Sequence, residues 1–116
     1  MNIPDCVFCK IVAGAIPSQR VYEDDQVLAI RDINPQAPVH VLLLPKRHIA
    51  SVLEITERHD VLLRRIVLAA GAIAQQEGIA ERGFRLLTNT GPDGGQAVAH
   101  LHFHLLGGRK MEWPPG

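Results

Sequence analysis

The sequence predicts an α+β domain: a five-stranded, mainly antiparallel sheet carrying one long helix, with a short helix at the N-terminus. Three observations lead there. Five short β-prone segments are bounded by turn residues, a single long stretch has helical periodicity, and the connections between them are mostly tight. A chain of 116 residues leaves no room for a second core of ordinary size, so residues 1–116 read as one domain.

The elements follow in order. Asp5 can cap a first helix running to Val12, with Gly14 beyond its end. Arg20–Glu23 and Gln26–Ile30 flank Asp24-Asp25 and read as a hairpin with a two-residue loop. Pro35 and Pro38 interrupt the chain before a strand at Val39–Leu44, which Pro45 stops. Thr56 can cap the long helix, which Glu77 closes and Gly78 terminates; Leu62, Ile66, Ala69, Ala70 and Ile73 form its buried stripe. Phe84–Thr88 and Ala99–Leu106 complete the sheet, separated by the turn-rich stretch Asn89–Gly95. One long helix covers one face of a sheet, so the other face is expected to be open to self-association.

Composition excludes several classes of function. Twelve basic residues balance 12 acidic ones, which removes the electrostatic footprint of a nucleic-acid binder while leaving room for a small phosphate-bearing ligand. The longest apolar runs, such as Val41–Leu44, are far too short to span a bilayer, so no membrane association is expected. Met1–Asp5 shows no secretory pattern, and a cytoplasmic location is the expectation.

The sharpest chemical feature is His100-Leu101-His102-Phe103-His104-Leu105-Leu106. On a strand, the three imidazoles face one way and Leu101, Phe103 and Leu105 the other. The preceding Gly94-Gly95 pair lets the backbone approach a ligand and is expected to present amide N–H groups to an anion. A phosphate held there would meet nucleophiles that are neutral near pH 7. One histidine would attack phosphorus, a neighbour would fix its tautomer and another would hold the phosphoryl oxygens, with no catalytic metal required. The residues alone leave open which histidine attacks, and also a zinc site built from the His-x-His pattern. The second constellation is Cys6-Val7-Phe8-Cys9, the only two cysteines, whose spacing suits a metal or a redox pair.

His100-Leu-His102-Phe-His104-Leu-Leu resembles the motif of the histidine-triad (HIT) family. Asp32-Ile-Asn-Pro-Gln-Ala-Pro-Val-His40, Pro45-Lys-Arg-His48-Ile and Gly107-Gly-Arg-Lys-Met111 with Trp113-Pro-Pro-Gly116 extend the resemblance over nearly the whole chain, and toward the Hint branch. The resemblance implies a homodimer that hydrolyses purine nucleoside 5′-phosphoramidates (AMP- or GMP-type) through a nucleotidyl-histidine. His102 would be the nucleophile, His104 the α-phosphate contact, His100 its support and His40 the completion of the histidine set. Asp32 would bind ribose and Ile33 the base; Asn89, Gly95, Gln96 and Ala97, with His102 and His104, would surround the phosphate. Structural zinc would be held by Cys6, Cys9, His48 and His100, and the tail 109–116 would lie at the dimer interface. One departure stands out: the family commonly carries Ser or Thr where this chain has Ala97, so the donor for a departing amine is missing. Competing readings are a dinucleoside polyphosphate hydrolase of the Fhit type, a nucleotide-binding regulatory module and a zinc hydrolase.

Overall fold

The computed structural model describes residues 3–116. A six-residue helix α1 (Val7–Val12) precedes strands β1 (Arg20–Glu23), β2 (Val27–Arg31) and β3 (Val39–Pro45). Two 3₁₀ turns (Val52–Glu54 and Glu57–His59) lead into the long helix α2 (Asp60–Gln76). Strand β4 (Phe84–Leu87), a single helical turn α3 (Gly91–Gly94) and strand β5 (Phe103–Gly107) complete the chain. The sheet has the order β1-β2-β3-β5-β4, with every neighbouring pair antiparallel. This is the α+β architecture expected from the sequence.

The central strands are apolar on both faces because both are covered. Val27 and Ala29 of β2, Val41 and Leu43 of β3 and Leu105 of β5 pack under Leu62, Ile66, Ala69, Ala70 and Ile73 of α2. The alternate residues Leu28, Ile30, Leu42 and Leu44 meet Phe8 and Ile11 of α1 on the other face. The short helix therefore covers part of the face that the sequence left bare. Val67, Leu68 and Phe84 remain exposed, at 55%, 65% and 40%. No helix among the described residues is long and apolar enough to cross a membrane.

Local differences from expectation have physical causes. The cap of α1 is Cys6, not Asp5: its Sγ accepts from Cys9 N–H at 3.3 Å. The hairpin loop holds three residues, Asp24–Gln26, because Asp24 Oδ1 accepts from both Gln26 N–H and Val27 N–H and rounds the turn by itself. Thr56 does cap a helical start, but of a 3₁₀ turn whose capping box is completed by His59, and α2 begins only at Asp60.

The last strand begins at Phe103, so His100 and His102 lie ahead of it. The register Leu43↔Phe103 would set Pro45 against Leu101, and proline has no N–H with which to continue the ladder. Leu101 N–H instead donates to Ile49 O at 2.6 Å, and His102 O accepts from Thr88 Oγ1 at 2.7 Å. The alternation of faces still carries through this extended lead-in. Phe8 lies edge-on to both His100 and His102, at 5.7 and 5.0 Å between ring centroids, while Leu101 packs into the α2 side of the core.

Candidate active site

Four imidazoles come together on the α1 face of the sheet, and their partners decide where each proton sits. A backbone carbonyl can only accept. His102 Nδ1 lies 2.7 Å from His100 O, so Nδ1 carries the hydrogen and Nε2 keeps a free lone pair. The His102 nitrogen that keeps its lone pair is thereby specified by the carbonyl of His100, not by its ring.

The second pair is set from the opposite end. Gln36 N–H donates to His40 Nδ1 at 3.0 Å, which places the His40 proton on Nε2. Nε2–H donates to His104 Nδ1 at 2.9 Å, and Asp32 Oδ2 stands 3.3 Å from the same Nε2. His104, accepting at Nδ1, then carries its own proton on Nε2 as a donor. The rings of His102 and His104 are 5.1 Å apart, so a lone pair and an N–H donor sit side by side. That combination suits attack on phosphorus with a hydrogen bond to a phosphoryl oxygen.

Burial favours the neutral form of His104 and His40. It holds the His104 pKa down to about 4, with His102 and His40 adding to the effect, and lowers that of His40 against the opposing pull of Asp32. A folded histidine at about 4 against an ordinary 6.5 means that the unfolded chain binds more protons between those values. Stability from this group is complete above about pH 6.5 and is lost as pH falls toward 4. The melting temperature is expected to fall over that window, and less steeply in His104→Gln. Parallel curves for the two proteins would contradict the assignment.

Cys6, Cys9, His48 and His100 form a second cluster, with all four ligand atoms within 4.8 Å of one another. Cys6 Sγ is 3.2 Å from His100 Nδ1, and Cys9 Sγ is 3.4 Å from His48 Nδ1 and 3.6 Å from His100 Nδ1. Tetrahedral zinc with ordinary Zn–S and Zn–N bonds separates S and N ligands by about 3.6 Å. His100 Nε2 lies 2.8 Å from Pro45 O, so Nε2 carries the proton and Nδ1 is free to ligate. The four side chains fit a tetrahedral zinc ion. Asp32, His40 and His104 also gather within 4.8 Å, but there the Gln36 amide keeps the proton on the very nitrogen that would have to ligate. That trio is built as a hydrogen-bonded relay.

The glycine loop differs from expectation. Gly95 adopts φ 79° and its N–H closes onto Pro92 O at 3.1 Å, while Gln96 N–H closes onto Gly91 O at 3.1 Å. These amides cap the turn α3 and do not face an anion. The Gln96 side chain clasps the loop, donating to Ala50 O and Val98 O and accepting from Gly91 N–H. Asn89 is half-buried, Ala97 is exposed, and Ile33 is 100% exposed beside Asp32. Sequence reasoning passed over Phe8, Gln36 N–H and Pro45 O. Only Phe8 had a signal, as the aromatic residue between two cysteines. Surface depressions of about 590 and 610 Å³ lie elsewhere and include none of His40, His100, His102 and His104.

The profile of the HIT domain family matches residues 13–111. The chain belongs to the HIT family. Its sheet superposes on a HIT family hydrolase from Legionella pneumophila with a TM-score of 0.95 at 51% identity, covering 97% of this chain and 100% of the other. A purine nucleoside phosphoramidase of Escherichia coli is 50% identical over 107 residues, covering 92% of this HIT chain and 90% of the enzyme. A 14 kDa zinc-binding protein of Brassica juncea is 52% identical, with 97% and 100% of the two chains covered.

Proposed function

We propose that this HIT protein is a nucleotide hydrolase that cleaves purine nucleoside 5′-phosphoramidates through a covalent nucleotidyl-His102. The observation that carries the reading is the His102 Nδ1–His100 O contact of 2.7 Å, which leaves Nε2 as a free nucleophile beside His104. Nε2 attacks phosphorus, a P–N bond forms to His102 and the bond to the amine breaks, the departing nitrogen taking its proton from water at the position where Ala97 carries no hydroxyl. Water then attacks the same phosphorus, the His102–P bond breaks, and nucleoside monophosphate leaves. His104 Nε2–H and the Ala97 backbone N–H hold the phosphoryl oxygens, Asp32 meets the ribose and Ile33 the base. The relatedness to an enzyme named for this activity supports the reaction class.

The assembly belongs to the same reading: a homodimer formed over the exposed Val67, Leu68 and Phe84, with the tail 109–116 at its interface and Trp113, 82% exposed, reaching the partner's site. Zinc would be held by Cys6, Cys9, His48 and His100 and would fix the segment whose carbonyl orients His102.

Ala97 favours one second reading. Without a hydroxyl there, leaving groups that depart as stable anions gain over amines, as in a dinucleoside polyphosphate. Turnover of adenosine 5′-phosphoramidate against diadenosine triphosphate decides between the two. The Ala97→Ser variant is expected to raise phosphoramidate turnover by about tenfold, near the worth of one ordinary hydrogen bond. An unchanged rate would show the hydroxyl to be irrelevant.

A further inference from the structure

We propose that Arg109 is a positioning residue for the His40–His104 pair, acting through the backbone of Gln36. Its effect on turnover rests on the phosphoramidase reading; its effect on proton placement does not.

The contact begins where β5 ends. Gly107 is the last paired residue, opposite both Val39 and Phe84. Gly108 follows at φ +90°, and a Cβ there would stand 2.9 Å from Pro38 Cβ. Only glycine lets the chain turn this close to the Asp32–Pro38 loop. The turn sets Arg109 on that loop: its Nε–H donates to Gln36 O at 3.0 Å, and its Nη1 donates to Lys110 O at 3.2 Å, which steadies the guanidinium.

Gln36 is thus held from outside by its carbonyl while its N–H points to His40 Nδ1 at 3.0 Å. Asp32 N–H donates to His40 O at 3.0 Å at the start of the loop, and the other bonds of Asn34 and Gln36 are internal: Asn34 N–H to Asp32 Oδ1 at 2.8 Å and Gln36 Nε2 to Asn34 O at 3.0 Å. Ile33, Asn34, Pro35 and Gln36 are all exposed, so little core packing holds them. If Gln36 turns away, only Asp32 Oδ2, 3.3 Å from Nε2, still favours the proton on that nitrogen of His40. A proton moved to Nδ1 would leave His40 Nε2 and His104 Nδ1 facing each other as two lone pairs, and the donor at His104 Nε2 would lose its direction.

The test is ¹H–¹⁵N imidazole NMR of the full chain, with Arg109→Met and Arg109→Lys beside it. In the natural protein, His40 should show an unprotonated Nδ1 and a protonated Nε2. Met keeps the apolar stem and removes the donor. In Arg109→Met, the two His40 nitrogens should shift toward an average, and Gln36 amide exchange should rise about tenfold, the worth of one ordinary hydrogen bond. Phosphoramidate kcat should fall about three- to tenfold with KM nearly unchanged, and Lys should restore most of both readouts. Natural-type imidazole shifts and natural Gln36 exchange in Arg109→Met would overturn the proposal. Failure of the natural protein to turn over phosphoramidates would overturn only the reaction assigned to it, since the tautomer readout stands by itself.

Discussion

Replacing His102 with Ala should lower hydrolysis by about three orders of magnitude or more, while nucleotide binding changes by no more than about threefold. The expected split comes from how the site is assembled. On the proposed reading the nucleotide is held chiefly by Asp32, Ile33, His104 and the Ala97 amide, none of which depends on the His102 ring. The bond to phosphorus, in contrast, has one candidate lone pair, the Nε2 that the His100 carbonyl leaves free. Mass spectrometry after brief exposure to an activated nucleoside phosphoramidate should find the nucleotidyl group on His102 in the natural protein and nowhere in the variant. Retained turnover in His102→Ala would end the assignment of the nucleophile. A nucleotidyl adduct on His104 would relocate it.

Removing the metal is the second large effect expected. At a thousandfold excess of free metal over its dissociation constant, binding to the folded state alone is worth about 4 kcal/mol. In a domain of this size, that corresponds to a drop of about 15 °C or more in melting temperature on chelation. Cys9→Ala should show the same loss and no further response to chelator. Burial pushes the Cys9 thiol up, so zinc binding displaces a proton there and weakens in acid. The loss should extend beyond stability, because Cys6, Cys9 and Phe8 press one short helix against His100 and His102. Protein purified without added metal that is fully folded, holds less than about a tenth of an equivalent of zinc and melts unchanged in chelator would refute the site.

Much of this architecture was legible in the residues. The two-sided burial of β2 and β3 follows from their unbroken apolar runs, and the placement of the imidazoles on one face follows from alternation alone. The Cys6–Cys9 pair is readable from its spacing, whereas the approach of His48 and His100 to it comes from the family resemblance, since ligands 39 and 91 residues apart from Cys9 share no local signal. What stayed hidden was set by backbone groups. The start of β5 depends on the missing N–H of Pro45, the tautomer of His102 on one carbonyl and that of His40 on one amide. A backbone carbonyl or amide is common to almost every residue type, so composition and spacing carry no trace of those two contacts, and Pro45 signals only the end of its own strand, not its effect on the one it would pair with. The glycine loop misled for the related reason that a glycine-rich turn can spend its amides on its own closure.

The face-alternation of β5 also limits how this chain tolerates change. Leu105 is fully buried under α2, one peptide unit from His104 on the opposite side. Any repacking that shifts Leu105 tilts the neighbouring imidazole, so heat tolerance and turnover are drawn from a common backbone. Laboratory selection for hardier variants should therefore accumulate changes on the solvent side of α2 and leave this strand almost untouched.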